Sequence, residues 1–237
     1  SSPNDFLVEQ QGGIASTQAI GINYSDRWGK KLDISGSYFF NRSELLSEED
    51  LLREFIDNGE ASEIYTEENT GFSENYNHRL NFRIEYKIDS ANSLIMRPRL
   101  SIQQNQGNSS TFGQNNIAGV LLSQTENLFR SDYNALSFNN NLTFRHRFPK
   151  RRRTFSVSLG TGYNDRGGES FLNSYNQFFT RNRADTLAQF SLLDSKTWNG
   201  SVSLAYTEPV GSKGMLMLNY RASLRADDSD KETFNLS

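Results

Sequence analysis

Two histidines, His78 and His146, are the residues of this 237-residue chain most suited to proton transfer. Neither has an HExxH partner or any paired-ligand spacing, so each is expected to be structural. Cysteine is absent, which excludes a thiol nucleophile, a CxxC metal knuckle and a disulfide framework. "DDSDKE" (227 to 232) is oxygen-rich enough for calcium, but its spacing is not that of an EF-hand loop and no glycine sits at the turn. A solvated loop is the better reading. "GTGYNDRGG" has glycines but no following Lys-Ser/Thr and no helix, so it is not a phosphate loop. The GxSxG nucleophile elbow is absent. No catalytic residue, cofactor or metal ligand is assigned, and the chain is not expected to be an enzyme. A formal net charge of -3 lacks the basic excess of a nucleic-acid binder, so no nucleic-acid partner is expected.

What the sequence does carry is alternation. In "HRLNFRIEYKI", Leu80, Phe82, Ile84, Tyr86 and Ile88 point one way, and Arg79, Asn81, Arg83, Glu85 and Lys87 the other. Further stretches repeat the pattern. "STQAIGINYS" aligns Ile20, Ile22 and Tyr24; "KLDISGSYFFN" aligns Leu32, Ile34, Tyr38 and Phe40. "SLIMRPRLSIQQ" aligns Leu94, Met96, Leu100 and Ile102 against Arg97 and Arg99, with Ile95 breaking the pattern. "ALSFNNNLTFRHRF", "TFSVSLGTGYN", "TWNGSVSLAY" and "MLMLNYRASLR" complete a set of about eight strands.

The connections alternate short and long. "DRWGKK", "DSAN", "PKRRR" and "TEPVGSKG" are tight turns. Between them lie segments of about 30 to 35 residues, 43–77, 104–133 and 165–196, read as long, extracellular loops. Residues 1–13 read as a loop or leader. "SEEDLLREFIDNGE" predicts a short helix, with Ser47 as N-cap, Leu51, Leu52 and Phe55 on one face, and Gly59 at its end. It also offers an exposed acidic contact surface. The whole reads as a single all-β segment, an antiparallel up-and-down meander forming part or all of a transmembrane β-barrel.

A soluble sandwich would show the same alternation, so period two cannot decide alone. Aromatic placement favours the membrane. Tyr24, Tyr86, Phe148, Phe155 and Tyr206 lie near the short-turn ends of the apolar faces, and Tyr38, Phe40, Tyr163 and Trp198 near the other ends. Two belts around an aliphatic middle suit the two bilayer interfaces. Leu80, Phe82, Ile84, Tyr86, Leu94, Met96, Leu100 and Ile102 are therefore expected to face lipid. Arg83, Glu85, Arg97 and Arg99 are expected to face a lumen. Pro98 cannot donate to a ladder and predicts a bulge or an unpaired position. The turn at "DSAN" predicts that Glu85 pairs with Arg97 and Ile84 faces Pro98. The basic turn "PKRRRT" (149 to 154) is read as contacting anionic headgroups.

Several stretches resemble one family. "NYSDRWGKKLDISGSYFFNR" (23 to 42), "NHRLNFRIEYKIDSANSLIMRPRLSIQQN" (77 to 105), "FRHRF" (144 to 148) and "YTEPV" (206 to 210) are similar to the barrel of TonB-dependent-receptor-like outer-membrane proteins of Gram-negative bacteria. The resemblance covers most of the chain from about residue 12 onward. Its motifs are strands and turns and carry no chemistry. It implies a larger parent with plug-like and sandwich-like N-terminal domains, neither of which this chain matches. "ETFNLS" at the end lacks a terminal aromatic, so the expectation is an excised segment. It implies membrane lipid as a partner, an unknown extracellular ligand, and an energy-coupling or lipoprotein partner of the parent. The expected location is the outer membrane, and the expected role is barrel wall and surface loops in a receptor or transporter. One alternative is a soluble β-module binding carbohydrate or protein, with Tyr65, Tyr133, Tyr175 and Phe178 as stacking residues. Another is a complete eight-stranded anchor or adhesin barrel.

Overall fold

The computed structural model describes residues 13–55, 62–211 and 213–236. It is all-β. The strands are β1 (Gly13–Trp28), β2 (Leu32–Phe55), β3 (Glu63–Lys87), β4 (Asn92–Met96), β5 (Arg99–Ile117), β6 (Val120–Arg147), β7 (Thr154–Phe178), β8 (Arg183–Val210) and β9 (Gly214–Asn235). They form one nine-stranded antiparallel sheet in chain order, with β4 and β5 occupying one strand position between β3 and β6. This is the expected meander. Among the described residues, β1 and β9 are edges with no further strand beside them.

Pro98 explains the split between β4 and β5. The β3–β4 pairs (Ile84 with Met96) and the β3–β5 pairs (Asn81 with Arg99) continue one register. The position is therefore unpaired rather than bulged. The Pro98 carbonyl accepts the Phe82 N–H at 2.9 Å, but the proline nitrogen returns no bond. This register also corrects the expected pairing. Glu85 lies opposite Ile95, and Ile84 opposite Met96. By continuation, Arg83 stands opposite Arg97. The turn is tighter than expected because Asp89 Oδ1 accepts the N–H groups of Ala91 and Asn92 at 2.7 and 2.8 Å. Since the slip is two residues, every side chain keeps its expected face.

The long loops are the larger correction. Segments 43–77, 104–133 and 165–196 are mostly strand: β2 has 24 residues, β3 25 and β6 28. The expected helix from Ser47 is the end of β2 over its described part, and Gly59 lies outside the described residues. The ladder to β3 holds these residues extended from Ser47–Gly71 through Phe55–Glu63. At the far end, β5 and β6 meet in a two-residue turn. Ala118 (φ 50°) and Gly119 (φ 78°) both take positive φ there, as a hairpin of matching twist requires. No described helix is long and apolar enough to cross a membrane.

The sheet is a single layer. Among the described residues Ile95, at 1% exposure, is the only buried hydrophobic side chain. Soluble domains bury a face by packing a second layer on it; among the described residues there is no second layer.

Candidate functional site

Pairing sorts the side chains into two faces. One row of directly opposed residues runs Ile22, Tyr38, Leu80, Leu100, Phe138, Tyr163, Trp198, Ala226. Three rows nearer the short turns runs another: Trp28, Leu32, Tyr86, Leu94, Phe144, Val157, Leu204, Tyr220. These rows and those between them make an apolar band across all strand positions. Leu80, Phe82, Ile84, Tyr86, Leu94, Met96 and Leu100 all belong to it, and Ile102 lies one row beyond on the same face, between His78 and Leu136. Its side chains are open: Trp198 is 61% exposed, Ile22 59% and Leu224 83%. Asp26, Asn140 and Thr161 are polar interruptions. From Leu32 to Phe40, or Trp198 to Tyr206, the band takes about nine residues of strand, the length a tilted membrane strand uses.

Aromatics bound the band as expected at Tyr86, Phe155 and Tyr206 on the turn side. Tyr38, Phe40, Tyr163 and Trp198 bound it on the other, where the Tyr163 and Trp198 rings lie 4.3 Å apart. Tyr24 sits higher in the band than expected. Trp28 holds the turn-side position on β1 and donates its indole N–H to the Tyr24 hydroxyl at 3.0 Å. Both histidines sit in these boundary zones. His78 shares a hydrogen bond of 2.8 Å with the Tyr38 hydroxyl, and His146 one of 2.7 Å with Asn92 Oδ1.

The opposite face is polar. Arg79, Arg83, Glu85, Arg97 and Arg99 share it with Ser35, Ser37, Asn81, Asn139 and Asn141. The buried residues Asn75, Asn77, Ile95, Ser131 and Thr143 all lie on this face too. One face crowds its side chains while the other spreads them when a sheet curls, so the polar face is the concave one. The Arg83 Nη2 donates to Glu85 Oε2 at 2.8 Å, in place of the expected Glu85–Arg97 pair. A groove of about 500 Å³ opens among Asn23, Ser35, Ser37, Arg83, Arg97 and Arg99.

Beyond the band, away from the short turns, the convex face changes sign. Glu44 and Glu74 are paired across β2 and β3, and Arg42 bridges them. The Tyr76 hydroxyl also donates to Glu74 at 2.6 Å. Hydrogen bonds from Tyr76 and Arg42 hold the Glu74 carboxyl below its ordinary range. Asp132, Glu169 and Glu232 lie in the same row. One row further lie two apolar pieces, Leu46 with Phe72 and Phe171 with Phe190 and Phe234, separated by Asn108 and Arg130; the Phe171 and Phe190 rings are 4.7 Å apart. Sequence alternation did not single them out, because polar positions surround them.

At the short-turn end, the basic turn is tied to the wall. Glu208 accepts from Lys150 Nζ (2.5 Å), Arg153 Nε (2.6 Å) and Nη2 (2.7 Å), and the Tyr206 hydroxyl (2.7 Å). Of the turn's basic residues, Arg151 and Arg152 stand outside this cluster. The "DDSDKE" cluster is strand rather than loop, so Asp228 and Asp230 share the convex face while Asp227 points to the other and binds Arg225. Among the described residues no metal-holding group forms. Tyr65, Tyr133 and Phe178 lie on the concave face and Tyr175 on the convex one, so they make no common stacking platform.

No family model matches the sequence, and no curated protein matches it. Among solved structures, the crystal structure of Pseudomonas aeruginosa OccK10 (OpdN) is matched over 95% of this chain and 99% of that chain, at 9% identity and a TM-score of 0.16. The reading of this molecule therefore rests on its register and its two faces.

Proposed function

We propose that the chain forms wall and surface extensions of an outer-membrane β-barrel, its convex band against lipid and its concave face against a water-filled lumen. One observation carries this: an apolar band one membrane strand deep, aromatic at both margins, on a sheet that no second layer covers among the described residues. An exposed apolar surface of that extent marks contact with another apolar phase. The strand and turn resemblance extends the reading to a receptor or transporter of the TonB-dependent-receptor-like kind. Its strands, prolonged beyond the band, present the surface to an external ligand or a partner.

The chain has no cysteine, so single cysteines can be placed at Ile84 and, separately, at Arg83. Each is labelled with an environment-sensitive fluorophore in reconstituted bilayers containing lipid-borne quenchers. Quenching at Ile84 but not at Arg83 is expected. Quenching at neither, with Ile84 shielded from water, would mean a protein core and would end the membrane reading.

A further inference from the structure

The arginines of the concave face are left with too few acids. Arg79, Arg97, Arg99 and Arg83 occupy neighbouring rows, with Arg99 opposite Asn81 and Asn139. Glu85 is committed to Arg83. Arg79, Arg97 and Arg99 have no carboxylate at ion-pair distance among the described residues. Five other arginines do reach a carboxylate: Arg27 with Asp33, Arg42 with Glu74, Arg153 with Glu208, Arg183 with Asp185 and Arg225 with Asp227; what sets the groove apart is that its arginines fall on neighbouring rows of one face.

The arrangement has an electrostatic cost. Arg83 and Arg97 stand directly opposite, and like charges so placed weaken a sheet. Apolar phase behind the wall would make the charges harder to screen and would focus their field into the groove. Around them the wall offers serines and asparagines, which can donate to an anion without competing for the arginines. Guanidinium forks match carboxylate and phosphate oxygens two at a time.

We infer that the groove at Arg83, Arg97 and Arg99 binds a small solute carrying two or more carboxylate or phosphate groups. This rests on the barrel-wall reading, because it needs the concave face to be wet and open to solutes.

The test uses citrate as probe. The protein is reconstituted in zwitterionic phosphatidylcholine nanodiscs, so that no lipid anion competes, and citrate is titrated calorimetrically at low ionic strength. Saturable binding that weakens with added salt is expected. R97Q/R99Q is expected to weaken it by about tenfold or more, the scale of lost charge-assisted hydrogen bonds. R97K/R99K keeps the charge and guards against misfolding of the first variant; it is expected to bind more weakly than the parent through loss of the forks. Arg183→Gln, at the far end of β8, is expected to change nothing. Absence of binding, or equal binding by parent, R97Q/R99Q and R97K/R99K, overturns the site. Ile84 fluorophore quenching in the same discs separates the two levels. Quenching without citrate binding overturns the anion site alone, and no quenching overturns the wall on which it rests.

Discussion

At Glu208, three side chains converge on one carboxylate just outside the apolar band. Hydrogen bonds from Arg153, then Lys150, then Tyr206 hold it far below the usual carboxylate range. Its folded pKa is thus lower than its unfolded one, near 4.5. The stability it contributes is complete above that unfolded value and is lost as pH falls through the folded one. Unfolding of the lipid-reconstituted protein by urea should therefore show a midpoint that declines below about pH 4.5. Glu208→Gln should lower the midpoint at neutral pH and flatten the decline. An acid decline equal in the two proteins would assign it to other carboxylates, such as Asp89, which the Asn92 side chain and the Ala91 and Asn92 N–H groups also stabilise as an anion. The same contacts were not legible in "PKRRRT": Glu208 lies almost sixty residues away in sequence and comes to Lys150 and Arg153 only by sheet register.

Along a single strand, neighbouring residues serve opposite environments. On β8, Val202 belongs to the band and Ser203 to the concave face. Val202→Arg is expected to cost about 2–4 kcal/mol in lipid, as a cation at mid-depth of a barrel's outer face does, and Ser203→Arg about 1 kcal/mol or less. Equal costs from equilibrium unfolding would mean the two faces meet similar surroundings. This period-two contrast was the legible part of the sequence. It separated the set from Leu80 to Ile102 from the set from Arg83 to Arg99 onto opposite faces of the sheet, as the pairing has them, even where the β3–β4 register was off by two. Strand length was not legible, for a physical reason. "QNQGNSSTFGQNN" in β5 has no apolar face, so no periodicity betrays it, yet backbone pairing to β3 and β6 keeps it extended. Around Ser47, leucines at helical spacing outweighed a strand pattern that only the facing residues of β3 could reveal. The anion groove was half legible: the arginines were visible, but their shortage of acids depended on which residues each faces.

At the scale of the molecule, the described sheet is held by its backbone ladders rather than by a core, since Ile95 alone among the described hydrophobic side chains is buried. Hydrophobic burial against protein, the chief favourable term in a water-soluble domain, is nearly missing. Among the described residues the edges at β1 and β9 have no further strand beside them, and such edges present backbone groups open to pairing.

That lack of an interior reaches into calorimetry. Heat capacity rises on unfolding because apolar groups become hydrated. Here most of them would pass from one amphiphile contact to another. The increment per residue, measured by scanning calorimetry in detergent micelles, is expected to fall well below the ~12–15 cal/mol/K of globular domains. A full globular increment would mean that unfolding strips the band of its apolar surroundings and delivers it to water.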